Sequence, residues 1–173
     1  MSNPKQKIQL AFSPCPNDTF MFDAMIHGKI DTEGLEFNVE LHDIETLNKK
    51  ALQSVFDVSK ISFFAFTSVA EQYQLLTSGS ALGTNCGPLL ISKKEIKLSD
   101  LKNKIIAIPG KNTTAHFLLN TAFPEALHKK EIVFSAIEQA VLTEIVDAGV
   151  IIHENRFTYQ DKGLLKLLDL GEY

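Results

Sequence analysis

Strand-like and helix-like apolar patterns take turns along this chain, and that alternation constrains its fold more than any other feature. Residues 7–13 (KIQLAFS) alternate and run into a Pro-Asn-Asp cluster, as a strand entering a loop does. Asn17, Asp18 and Thr19 are helix-capping types, and Phe20–His27 reads as a helix stopped by Gly28. Leu35–Leu41 is a second strand with Phe37, Val39 and Leu41 on one face. Asp43 caps a helical stripe of Ile44, Leu47, Ala51, Leu52 and Val55. Asp57–Ser62 reads as a short strand or bend and Phe63–Tyr73 as a helix, with β-like stretches at Leu75–Ser78 and Gly87–Ser92. The charged segment SKKEIKLSDLKNK then interrupts the pattern. It sets a boundary between a first lobe, residues 1–92, and a second, residues 93–173. Beyond it follow a strand (Lys104–Ile108), a helix (Ala115–Ala122), a strand (Ile132–Ser135), a helix (Glu138–Ala148), a buried strand (Gly149–Ile152) and a last strand (Gly163–Leu170). Such alternation implies βαβ units, hence an α/β fold of mixed, mostly parallel sheets flanked by helices.

Composition narrows the function. The 17 Lys+Arg against 21 Asp+Glu leave a net charge of −4, without the clustered basic excess of a nucleic-acid binder. Hydrophobic residues at 45% exclude a disordered tail. No apolar run approaches the ~18–20 residues that span a bilayer, so no membrane partner is expected. The polar opening MSNPKQK gives no secretory address. Two cysteines, Cys15 and Cys86, lack CxxC spacing and give neither a zinc site nor a disulfide framework. Cytoplasmic residence with reduced thiols is the expectation.

In parallel α/β sheets, ligands bind beyond the carboxyl ends of strands. Four polar segments fall there: 13–20 (SPCPNDTF, with Asn17), 59–62 (SKIS), 109–115 (PGKNTTA) and 153–159 (HENRFTY). PGKNTTA opens a helix whose free N–H groups and two hydroxyls, Thr113 and Thr114, make a cradle for a carboxylate or phosphate. Equally, Asn112 or Thr113 merely caps that helix. His153 follows the apolar strand GVII, and imidazole, with its pKa near ~6.5, suits proton transfer at neutrality. The alternative is a strand-end histidine tied down by backbone hydrogen bonds. Arg156, the only arginine, has a planar fork that suits a carboxylate. Lys60, between apolar residues, either meets an anionic substrate or pairs with Asp57. Cys15, between two prolines, is read as a turn residue with an incidental thiol.

Five pieces in register, SPCPNDTF (13–20), KIS (60–62), SGSALGTNCGPLL (78–90), PGKNTTAHFLL (109–119) and GVIIHENRFTY (149–159), together resemble the 1,4-dihydroxy-6-naphthoate synthases of the futalosine route to menaquinone. The resemblance implies a type 2 periplasmic-binding-protein-like fold of two α/β lobes closing on a ligand. It implies a lyase that converts cyclic dehypoxanthinyl futalosine to 1,4-dihydroxy-6-naphthoate, with no metal or cofactor. His153 matches the family's general base in the interlobe cleft. Lys60, Ile61, Ser62, Thr113 and Thr114 match its substrate-binding segments, and Lys60 or Arg156 is expected to hold the substrate carboxylate. Family members continue beyond a DLG segment like 169–171. The expected first lobe therefore lacks its C-terminal completion and exposes apolar surface that favours a homodimer or domain exchange. Two other readings share the fold: a non-catalytic binder of small carboxylates, and the chorismate-utilising dehydratase of the same pathway.

Overall fold

The computed structural model describes residues 6–84 and 86–172. The start of the polar N-terminal stretch and Asn85 of the 78–90 segment lie outside them. The chain forms two compact units, Met1–Ala81 and Leu82–Tyr173.

The first unit is a parallel three-stranded sheet of order β2-β1-β3, with β1 Gln6–Phe12, β2 Leu35–Leu41 and β3 Val58–Ser59. Two helices connect them, α1 (Pro16–Ile26) and α2 (Ile44–Ala51). Asp43 caps α2 as its residue type predicts: its side chain accepts from the backbone N–H of Glu45 and Thr46. Leu10, Ala11 and Phe12 of β1 are buried, and Ala11 packs with Leu47 and Phe56. The helix expected over Phe63–Tyr73 is only α3, Phe63–Phe66. The Thr67 hydroxyl donates to the Phe64 carbonyl, and the chain continues to Gln72 in turns. No strand forms at 75–78.

The second unit is a five-stranded mixed sheet of order β6-β5-β7-β4-β8. Its strands are β4 Leu89–Ser92, β5 Ile106–Ile108, β6 Lys129–Glu131, β7 Ala148–Ile151 and β8 Leu165–Asp169. The boundary expected after residue 92 is corrected: β4 pairs antiparallel with β7 and β8, so 89–92 belongs to this second sheet. Alternate residues feed two cores. Leu89, Ile91, Ala107 and Ile151 face α5 (Ile137–Leu142), whereas Leu90, Ile106, Ile108 and Val150 pack with Leu119 of α4 (Thr114–Ala122). Each leucine, isoleucine and valine among them contributes about 1.5–3 kcal/mol on burial. At Gly149 a Cβ would stand 2.6 Å from Ile137 Cγ2, so glycine lets α5 lie directly on β7. The expected strand 132–135 is replaced by β6 at 129–131 and a 3-10 turn at Phe134–Ala136. The helix expected to reach Ala148 stops at Leu142, and Glu144 adopts a left-handed φ of 59°. Among the described residues no helix is long and apolar enough to cross a membrane.

Candidate functional site

Topology gathers the chemistry of the second unit at one sheet edge. β5 and β7 are parallel neighbours, so the loops after Ile108 and Ile151 leave side by side. β4 begins and β8 ends at that same edge, because Leu89 pairs with both Ile151 and Asp169. Segments 86–88, 109–114, 152–156 and 169–171 therefore converge there.

Thr113 is the N-cap of α4. Its Oγ1 accepts from the His116 N–H at 3.2 Å and donates to the Gly110 carbonyl at 2.7 Å, and the residue is buried. Of the two readings left open for this loop, the structure gives Thr113 the capping one, with its hydroxyl proton committed to the Gly110 carbonyl. Thr114, the first residue of α4, is exposed. His116 Nδ1 lies 2.8 Å from the Lys111 carbonyl and must donate to it. Its Nε2 then accepts from the Asn120 amide at 3.0 Å, and Lys129 donates to Asn120 Oδ1. Burial lowers the pKa of the Lys129 ammonium. Thr113→Ala should cost about 1–2 kcal/mol, with Thr113→Ser recovering most of it; urea denaturation midpoints measure both.

His153 stands two residues beyond β7 with φ 54°, in the left-handed region that side chains enter at a cost. It is exposed, and its ring nitrogens make no hydrogen bond among the described residues, so it is not a histidine tied down by the backbone. Its ring meets that of Phe134 edge to face, with centroids 6.0 Å apart. The residues after it are gripped on both sides. Asn155 Nδ2 donates to Glu138 Oε2 at 2.6 Å, where Lys162 also donates at 2.6 Å. Arg156 donates to Asp169 Oδ2 at 2.8 Å and to the Gly87 carbonyl. The fork expected on a substrate carboxylate thus holds a carboxylate of its own chain. Burial raises the Asp169 carboxyl, but hydrogen bonds from Arg156 and the Gly171 N–H and the charges of Arg156 and Lys166 outweigh it, leaving its pKa lowered. Gly87 and Gly171 touch backbone to backbone: a Cβ on Gly87 would lie 2.3 Å from Gly171 Cα.

In the first unit, β1 and β3 end at a common edge. There the Lys60 ammonium donates to the Gly79 carbonyl at 2.8 Å and stands 3.6 Å from Asp18, itself buried and bonded to Ser13. The pairing with Asp57 is corrected, since the Asp57 carboxylate instead accepts from the Gln9 N–H. Ser62 and the fully buried Asn48 hydrogen-bond reciprocally, and Ile61 packs against the core of this unit. Asn17 is exposed in the first turn of α1. Cys15 and Cys86 are free thiols. Glu138 escapes a reading by motif, because a lone carboxylate in a helix carries no local sign of its partner; Asp18 and Asp169 lie within SPCPNDTF and the DLG segment, which give no sign that Lys60 and Arg156 are their partners.

The family described as Menaquinone biosynthesis matches residues 8–173. A 1,4-dihydroxy-6-naphthoate synthase of Thermus thermophilus is 39% identical over 168 residues, 97% of this chain and 60% of that protein. The enzyme of the same name from Streptomyces coelicolor is 40% identical over 171 residues, 96% of this chain and 60% of its own. The chain therefore spans about three fifths of the curated relatives it matches. A crystal structure of an Archaeoglobus fulgidus protein superposes with a TM-score of 0.89 at 44% identity, covering 96% of this chain and 61% of that one. The alkanesulfonate-binding protein SsuA of Xanthomonas axonopodis does so with a TM-score of 0.72 at 14% identity, covering 97% and 62%. That likeness shows the fold, which is the periplasmic-binding-protein-like one expected.

Proposed function

Because the chain belongs to the menaquinone biosynthesis family, we propose that it carries the base and the oxyanion donors of a carbon–carbon lyase that converts cyclic dehypoxanthinyl futalosine to 1,4-dihydroxy-6-naphthoate. The observation that supports this best is His153: an exposed imidazole whose nitrogens make no hydrogen bond among the described residues, at the sheet edge where α4 begins. Cleaving a carbon–carbon bond beside a carbonyl needs a base near neutrality, and His153 takes the proton. The developing oxyanion needs donors, which the exposed Thr114 hydroxyl and the first N–H groups of α4 supply, while Thr113 fixes that helix start. Arg156 acts as the clamp of the His153 segment. Lys60, Ile61, Ser62 and Asn17 are the first unit's substrate-binding residues, with the Lys60 ammonium for the substrate carboxylate. We place the protein in the cytoplasm, where a small soluble metabolite is at hand. Self-association or domain exchange would cover apolar side chains that the first unit exposes, among them Phe20 and Leu76.

Incubating the protein with cyclic dehypoxanthinyl futalosine should generate the naphthoate, followed by its absorbance. Saturable binding without product would favour the carboxylate-binding alternative. Turnover of chorismate-derived substrates instead would favour the dehydratase.

A further inference from the structure

We propose that Glu138 is a positioning residue for His153, an inference that rests on the reading of His153 as the base. Glu138 belongs to α5, the helix laid directly on β7 through Gly149. Its carboxylate is buried, yet it reaches the His153 turn: Oε2 accepts from Asn155, two residues beyond the histidine. Phe134, on the same short stretch of chain, meets the His153 ring itself. Residues 134–138 therefore touch the turn twice, ring against ring and carboxylate to amide. Together these contacts fix a residue whose left-handed backbone would otherwise relax.

The choice of side chain also points to this task. A buried carboxylate is costly unless each oxygen is satisfied, and a residue serving only the core of α5 would be apolar. Here Lys162 and Asn155 both converge on Oε2, while Oε1 has no hydrogen-bond partner among the described residues. Besides pairing with Lys162, the carboxylate secures Asn155, hence the start of α6 (Asn155–Thr158) and the turn before it.

The test compares Asn155→Ala, which cuts the tether and leaves the Glu138–Lys162 ion pair, with Glu138→Gln. In Asn155→Ala kcat should fall on the order of 10–10²-fold while KM stays within about twofold, because a misplaced base slows chemistry more than binding, whereas Glu138→Gln, whose amide oxygen still accepts from Asn155, should lose less. In ¹H–¹³C spectra the His153 Cε1–H resonance, displaced by the Phe134 ring, should move toward that of an unconstrained histidine. On a His153→Ala background neither change should lower the residual rate further by more than about twofold. An unmoved His153 resonance in folded Asn155→Ala overturns the proposal, whether or not kcat falls. If Glu138→Gln fails to fold, Asn155→Ala decides. Absence of product from the unmodified protein would remove the lyase reading, and the resonance alone would then decide whether Glu138 and Asn155 hold the ring.

Discussion

His153→Ala should lower turnover about 10²–10⁴-fold and leave the fold intact. The two halves of that expectation come from different observations. The ring makes no hydrogen bond among the described residues and is exposed, so its removal forfeits little beyond the Phe134 contact; stability should change by about 0.5 kcal/mol or less. His153→Gly sharpens the test. Glycine enters the left-handed region without the Cβ conflict, so this variant should gain roughly 0.5–1 kcal/mol while losing turnover as fully as alanine does. Product formation and thermal melting on the same samples check both. A variant that melts higher and still turns over at the original rate would remove His153 from the chemistry.

Arg156→Met should be among the most destabilising single changes in the second unit, by about 3–5 kcal/mol at pH 7. Methionine fills much of the volume but leaves the Asp169 carboxylate, whose side chain is 5% exposed, without its cation, and leaves the Gly87 carbonyl without its donor. The pH dependence follows from the lowered pKa of Asp169. A carboxyl whose folded pKa lies below its unfolded one stabilises the fold fully above the unfolded value, about 3.9 for aspartate, and loses that contribution as pH falls through the folded value. The gap between the wild type and Arg156→Met should therefore be full at pH 7 and narrow below about pH 4. Denaturant midpoints measured at pH 7 and pH 3 check it; a constant gap would show that Asp169 is not the group left stranded.

The architecture is legible wherever local signals and tertiary pairing agree. β2 matches its expected span, and α2 starts where Asp43 caps it but ends at Ala51, so Leu52 and Val55 of the expected stripe fall beyond the helix and are exposed. The 129–131 strand escapes detection because Lys-Lys-Glu has no apolar period at all; it forms by pairing with β5 at the sheet's margin. The early end of α5 follows from the left-handed Glu144, which its residue type does not announce. For the site, a strand-end position suffices to pick out His153 and the Thr113–Thr114 pair. It cannot separate them by role, since whether a hydroxyl faces inward to Gly110 or outward is decided by packing. Arg156 shows the same boundary. Affinity for a carboxylate is inherent in guanidinium chemistry, but Asp169 as its partner depends on β8 and β7 flanking the same strand.

The double grip on the residues after His153 also governs how this segment can be moved or altered. Grafting HENRF alone onto a related scaffold would carry the histidine without its two anchors, since one lies on a helix upstream and the other on the closing strand. A working transplant needs Glu138, Asp169 and Gly87, whose carbonyl Arg156 also holds, to travel as a set. In laboratory evolution, losses of activity should accordingly accumulate at those three distant positions as readily as at the histidine.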